Sequence, residues 1–206
     1  SDHGFKSFRR GVNLNVLLHE LGYLTLKNGD GSRPYLQDVD WNRTRAYAFG
    51  LAGLYINRKG REQHGIVESG QVSEALKQEL IARLSGLRDP ETGETAILEM
   101  LDSRTAYQGP YVEDAPDLII GYNEGYRTSW DGAIGKVCGP VFEDNTKAWQ
   151  GDHCIHPELV PGVLFCNRKV DVEDPMLIDI APTVLCLFGL PIPSYMEGKP
   201  LVGTGR

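Results

Sequence analysis

The hydrophobic positions of this chain fall into runs whose spacing changes along its length. Between Val12 and Leu24, apolar residues Val12, Val16, Leu17, Leu21 and Leu24 recur at the steps that line one helix face, and Gly22 marks the expected end. From Val72 to Leu87 a second stripe runs through Val72, Leu76, Leu80, Leu84 and Leu87, with Lys77, Gln78, Glu79 and Arg83 expected largely outside it. A third helix is predicted from Ile178 to Phe188, starting near Asp179. Pro182 suits a first turn, where no N–H is needed, and Gly189 suits a C-cap ahead of Pro191 and Pro193.

The remaining apolar runs are shorter. Ala96 to Leu101, Asp117 to Tyr122 and Val163-Leu164-Phe165 suit buried strands. Arg45 to Asn57 is aromatic and apolar but broken by Gly50 and Gly53, so strand or irregular structure is expected there. Gly and Pro punctuate Gly121 to Pro140, which predicts long loops. Alternating strand and helix signals favour a layered α/β domain, and 206 residues argue for a single domain over 1–206.

Composition narrows the function classes. A net charge of −7 gives no basic patch for nucleic acid or anionic membranes. Such a protein still attracts phosphate esters where bound metal supplies positive charge. No apolar run approaches the roughly 20 residues of a membrane span. Cys138, Cys154, Cys166 and Cys186 contain no CxxC pair, which favours free thiols and a reducing compartment such as the cytoplasm. The chain opens without Met or a targeting signal, and any signal peptide would precede Ser1.

Two segments offer metal chemistry. Asp2-His3-Gly4 combines a hard oxygen donor with a borderline nitrogen donor. Neighbouring side chains on a strand face opposite ways, so both reach one ion only where the strand ends and turns, a role expected of Gly4. In open α/β sheets such ligands gather at the carboxyl edge. Gly151-Asp152-His153-Cys154-Ile155-His156-Pro157 holds four donors, yet no CxxC or HxxxH spacing completes a site. On spacing alone both segments read as polar loops. His19 and His64 read as packed and solvent-exposed.

Order along the chain adds more than spacing. Ser1-Asp2-His3-Gly4 matches the metal-binding Asp-His-Gly motif of the alkaline phosphatase superfamily. Val12-Asn13-Leu14-Asn15, Leu21-Gly22-Tyr23-Leu24, Ala46-Tyr47-Ala48, Tyr55-Ile56-Asn57, Gly60-Arg61-Glu62 and Gly65-Ile66-Val67 follow. Then come Ala115-Pro116-Asp117-Leu118, Trp149-Gln150-Gly151-Asp152-His153, Val160-Pro161-Gly162-Val163-Leu164-Phe165 and Asp179-Ile180-Ala181-Pro182-Thr183. This series resembles the type I phosphodiesterase/nucleotide pyrophosphatase family over nearly the whole chain. The Asp-His-Gly and Asp-Ile-Ala-Pro-Thr segments are shared more widely, including with sulfatases.

The resemblance implies the C-terminal portion of an alkaline-phosphatase-like α/β/α sandwich with two divalent metal ions, zinc by preference. It puts Asp2 and His3 on the ion that activates the nucleophile, and His153 on the other. Asp152, Cys154 and His156 match no ligand of the family, which leaves them structural or in support of the ligands from behind. A Thr or Ser nucleophile and further ligands would lie upstream of Ser1. About three protein ligands per ion are needed, and three are named in all. The chain is therefore expected to be a fragment, inactive alone, whose partners are a missing N-terminal segment or chain and a small phosphate-ester substrate. Two alternatives remain: a non-catalytic binding or assembly remnant, and a sulfatase or phosphomutase relative. Tyr126, Arg127 and Trp130 either line a leaving-group pocket or pack a loop.

Overall fold

In the computed structural model, which describes residues 1–170 and 172–202, two compact units are resolved: Phe5–Val160, and a smaller unit of Ser1–Gly4 with Pro161–Arg206. The larger unit runs β1 (Lys6–Val12), α1 (Leu14–Glu20), β2 (Ala46–Phe49), β3 (Gly53–Ile56), α2 (Gln71–Leu84), β4 (Ile97–Asp102), α3 (Ser103–Ala106), β5 (Leu118–Tyr122), β6 (Gly125–Thr128), α4 (Trp130–Ala133), β7 (Phe142–Asp144) and β8 (Gly151–Asp152). The smaller unit carries α5 (Ile180–Leu187). The chain is mixed α/β, as expected.

Among the described residues two sheets form. In the first, β1 pairs in parallel with β6 and antiparallel with β7 and β8. The second has the order β2-β3-β5-β4 and is antiparallel throughout. The β2–β3 hairpin resolves the ambiguous stretch Arg45 to Asn57 as strand. Leu18, Leu54, Leu80, Leu84, Ile97 and Leu118 are among the fully buried side chains of the core cluster.

Local chemistry sets the helices. Asn13 caps α1 by accepting the Val16 N–H. Past its end, the Gly22 N–H donates to His19 O and the Tyr23 N–H to Leu18 O, a Schellman pair that needs the left-handed φ of +77° at Gly22. The buried carboxamide of Asn15 donates to Ala48 O and accepts the Ala48 N–H, both at 2.8 Å, tying α1 to β2. Helix α2 buries Leu76, Leu80 and Leu84 as predicted, but Val72 is 55% exposed and Lys77 is buried. Each residue turns the helix by about 100°, so Val72 and Lys77 flank the leucine arc on opposite sides. The helix is rolled toward the lysine flank, where Lys77 Nζ meets Asp102 at 2.6 Å and Glu74 at 2.8 Å.

Other expectations need correction. The helix expected from Val12 to Leu24 is shorter, because Val12 ends β1 and α1 runs only Leu14–Glu20, and the loops expected within Gly121 to Pro140 contain β6 and α4. Both strands hide charge. Arg10 of β1 is buried against Asp89 (2.6 Å), Glu91 and Asp144 (2.7 Å each), and Arg127 of β6 is buried too. A hydrophobic pattern cannot register a guanidinium whose carboxylates come from elsewhere in the chain.

In the smaller unit, Val163-Leu164-Phe165 is not a buried strand: Phe165 is 92% exposed. Its one strand-like feature is a reciprocal pair of backbone hydrogen bonds between Val163 and Ser1, at 2.8 and 3.0 Å. An apolar triplet is buried only where neighbours cover it, and composition does not encode the neighbours. Gly162 lies so close to this pairing that a Cβ would sit 2.6 Å from Ser1 O and 2.9 Å from Asp2 O. Pro182 falls in the first turn of α5, as expected. Past the helix end, Gly189 (φ +67°) and Leu190 donate to Cys186 and Leu185 carbonyls, the same cap as in α1. The Asp-Ile-Ala-Pro-Thr segment is a fastening. Asp179 accepts the N–H groups of Met176 (2.9 Å) and Lys199 (2.8 Å), and the Thr183 hydroxyl oxygen accepts the Leu201 N–H. Among the described residues no helix is long and apolar enough to cross a membrane.

Candidate metal centre

His153 leaves the end of β8. That strand is held against the start of β1 in the register Lys6↔Asp152 and Ser7↔Gly151, and the Phe8 N–H donates to Gln150 O. The His153 imidazole packs edge-on against the Phe5 ring, with centroids 5.3 Å apart and planes at 70°. Asp152 points inward. Its Oδ1 accepts the N–H groups of His153 (2.7 Å) and Cys154 (2.9 Å), and its Oδ2 lies 2.9 Å from Arg127 Nε. The Arg127 guanidinium sits between the faces of Phe8 (5.0 Å) and Trp130 (4.5 Å).

The donor atoms of Asp152, His153 and Cys154 all lie within 4.8 Å of one another. One carboxylate, one imidazole and one thiol suit a borderline divalent ion by type. The three are not equally disposed to bind it. Both Asp152 oxygens already serve two amides and a guanidinium. Burial, then the Asp152 charge, pushes the Cys154 thiol pKa up and disfavours the thiolate a metal needs. His153 is exposed at the strand end.

Three residues on from His153, His156 turns away. Its side chain is buried, Nε2 is 2.6 Å from Glu99 Oε1, and the backbone N–H donates to Tyr122 O. Gly121 makes the room, since a Cβ there would meet His156 Cδ2 at 2.8 Å. His156 is a packing residue of the larger unit.

Asp2 and His3 belong to the smaller unit. Asp2 Oδ2 and His3 Nε2 are 3.8 Å apart, with the side chains 61% and 32% exposed. They lie before β1 rather than at the end of a strand, and the φ of Gly4, expected to supply the turn, is not positive. His3 Nδ1 lies 3.0 Å from Gly4 O. A carbonyl only accepts, so Nδ1 carries the proton and, in the neutral ring, the Nε2 lone pair faces the Asp2 carboxylate side. An oxygen and a nitrogen 3.8 Å apart are of donor types that suit a zinc-type ion.

Of the residues left between pocket and packing, Tyr126 packs. Its hydroxyl donates to Asp89 Oδ2 at 3.1 Å and lies 2.8 Å from Thr92 Oγ1. The Arg127–Asp152 pair escaped the sequence reading altogether. The only available signal was an arginine between two aromatics, Tyr126 and Trp130.

No known protein-family model matches the chain, and no solved structure matches it. A stretch of 51 residues is 45% identical to the 2,3-bisphosphoglycerate-independent phosphoglycerate mutase of Aeromonas salmonicida (strain A449). The match covers 24% of this chain and 10% of the mutase, so it spans about a tenth of that relative's length. Fold and comparison together define a coarse class: a mixed α/β chain with a partial likeness to a mutase of the alkaline phosphatase superfamily.

Proposed function

We propose that this chain is part of a metal-dependent phosphoryl-transfer enzyme, with Asp2 and His3 holding one divalent ion and His153 another. The observation that carries this reading is the 45% identity over 51 residues to the phosphoglycerate mutase. The adjacent oxygen and nitrogen of Asp2 and His3, and the exposed imidazole of His153, support it. Zinc is the ion their donor types favour. Bound divalent ions supply Lewis-acid activation and neutralise charge on phosphoryl oxygens. The chain's own residues hold and orient. The Nδ1 contact to Gly4 O presents His3 Nε2 beside Asp2, and Phe5 and Asp152 hold the His153 ring and backbone.

The finer reading is a phosphodiesterase or nucleotide pyrophosphatase using a Thr or Ser nucleophile upstream of Ser1, with a small phosphate ester as substrate. It rests on the ordered motifs from Asp-His-Gly to Asp-Ile-Ala-Pro-Thr. The second reading, a phosphomutase relative, is favoured by the relative's own name. Turnover of phosphodiester, phosphomonoester and sulfate-ester chromogenic substrates by the complete polypeptide separates the readings. In that polypeptide His3→Ala and His153→Ala are each expected to lower zinc stoichiometry. Turnover should fall at least ~100-fold, beyond the usual cost of losing a supporting residue. Parental zinc content and turnover in both variants overturn the assignment.

A further inference from the structure

Asp152 stands next to the proposed ligand in sequence, yet its side chain is buried and turned away from solvent. One oxygen binds the two amides that begin the turn after β8, at 2.7 and 2.9 Å. The other meets an arginine whose side chain is 6% exposed and whose guanidinium lies between two aromatic faces. Three strands and a helix meet here: Asp152 ends β8, Phe8 lies in β1, Arg127 in β6, and Trp130 begins α4. Both β6 and β8 pair with β1.

We infer that Arg127 and Asp152 are positioning residues for His153. The inference rests on the reading of His153 as a metal ligand. Burying a carboxylate and a guanidinium is costly, and an ion pair that served only stability could be replaced by apolar packing. This pair does something apolar packing cannot. Asp152 Oδ1 fixes the peptide N–H of His153 itself and of the next residue, while the Arg127 charge, 2.9 Å from Asp152 Oδ2, compensates the buried carboxylate. Phe5 limits the imidazole from its edge. The backbone and ring of His153 are thus set before an ion arrives, and such support raises affinity by removing the cost of ordering the ligand.

The test is zinc affinity of the complete polypeptide, measured by competition with a chromophoric chelator, alongside the metal-free thermal midpoint. His153→Ala should lose the ion. Asp152→Ala and Arg127→Ala should weaken zinc binding by about 10- to 100-fold. Asp152→Asn still offers an oxygen to both amides and should fall between Asp152→Ala and the parent; it carries the measurement if the alanine variants do not fold. Parental affinity in every Asp152 and Arg127 variant, while His153→Ala loses zinc, overturns the positioning role and leaves the metal reading intact. A lowered thermal midpoint with unchanged affinity marks a purely structural pair and also overturns it. Parental affinity in His153→Ala instead sinks the metal reading itself.

Discussion

Buried charge in the larger unit is held in pairs and clusters, several of them completed by partners from distant positions. Arg10 gathers Asp89, Glu91 and Asp144, and Lys77 gathers Glu74 and Asp102. Removing one member leaves the others short of a partner. Lys77→Met keeps the stem that lies along α2 and deletes the ammonium. It should destabilise by about 1–3 kcal/mol, read as a lower urea midpoint with an unchanged slope. Such partners also decided what was legible. Asp2 and His3 are adjacent in sequence, so their shared chemistry could be read as a motif, and His153 could be read from its place in Gly-Asp-His. Arg127 and Asp152 are far apart along the chain, and no local pattern joins them. Lys77 was misplaced for the same reason, since Asp102 arrives from the end of β4.

At the scale of elements, the three longer helices, α1, α2 and α5, were readable from period and punctuation, whereas the four-residue α3 and α4 were too short to show a period. Helices α1 and α5 end in the same glycine cap, and both glycines stand where the sequence puts a stop. At Gly22 an added Cβ meets nothing within 4 Å, so the strain of Gly22→Ala is confined to the backbone. The cost should be about 1 kcal/mol, seen as a shift in the thermal midpoint with no change in metal content. Strands β1 and β6 were hidden by their arginines. The triplet at Val163 misled in the opposite direction, because hydrophobicity promised burial that its surroundings do not provide. Period describes one element by itself; strands depend on what lies beside them.

For the whole molecule, the acidic balance carries a pH signature. The Arg33 side chain and backbone hold the Asp38 carboxyl below its ordinary range, and the Lys199 and Met176 amides do the same for Asp179. A carboxyl whose pKa is depressed by folding contributes stability that is complete above its unfolded value, about 3.9. That stability is lost as pH falls through the depressed folded value. The two groups lie in different units, so both units should weaken in acid. The thermal midpoint should fall steadily from about pH 4 downward, with no matching loss between pH 5 and 7. Asp179→Asn should remove the part of that slope that belongs to the smaller unit, and amide exchange at Lys199 is the local readout. A slope unchanged by that substitution would exclude Asp179 as a source.

Gly162 lies far along the chain from the Asp-His-Gly motif and offers no functional group. Its bare α-carbon nonetheless grants Ser1 and Asp2 the space their carbonyls fill. Even one methyl at this position would dislodge the segment that presents the first proposed ligand. A lesion there would therefore mimic damage to Asp2 while leaving every candidate donor atom chemically intact.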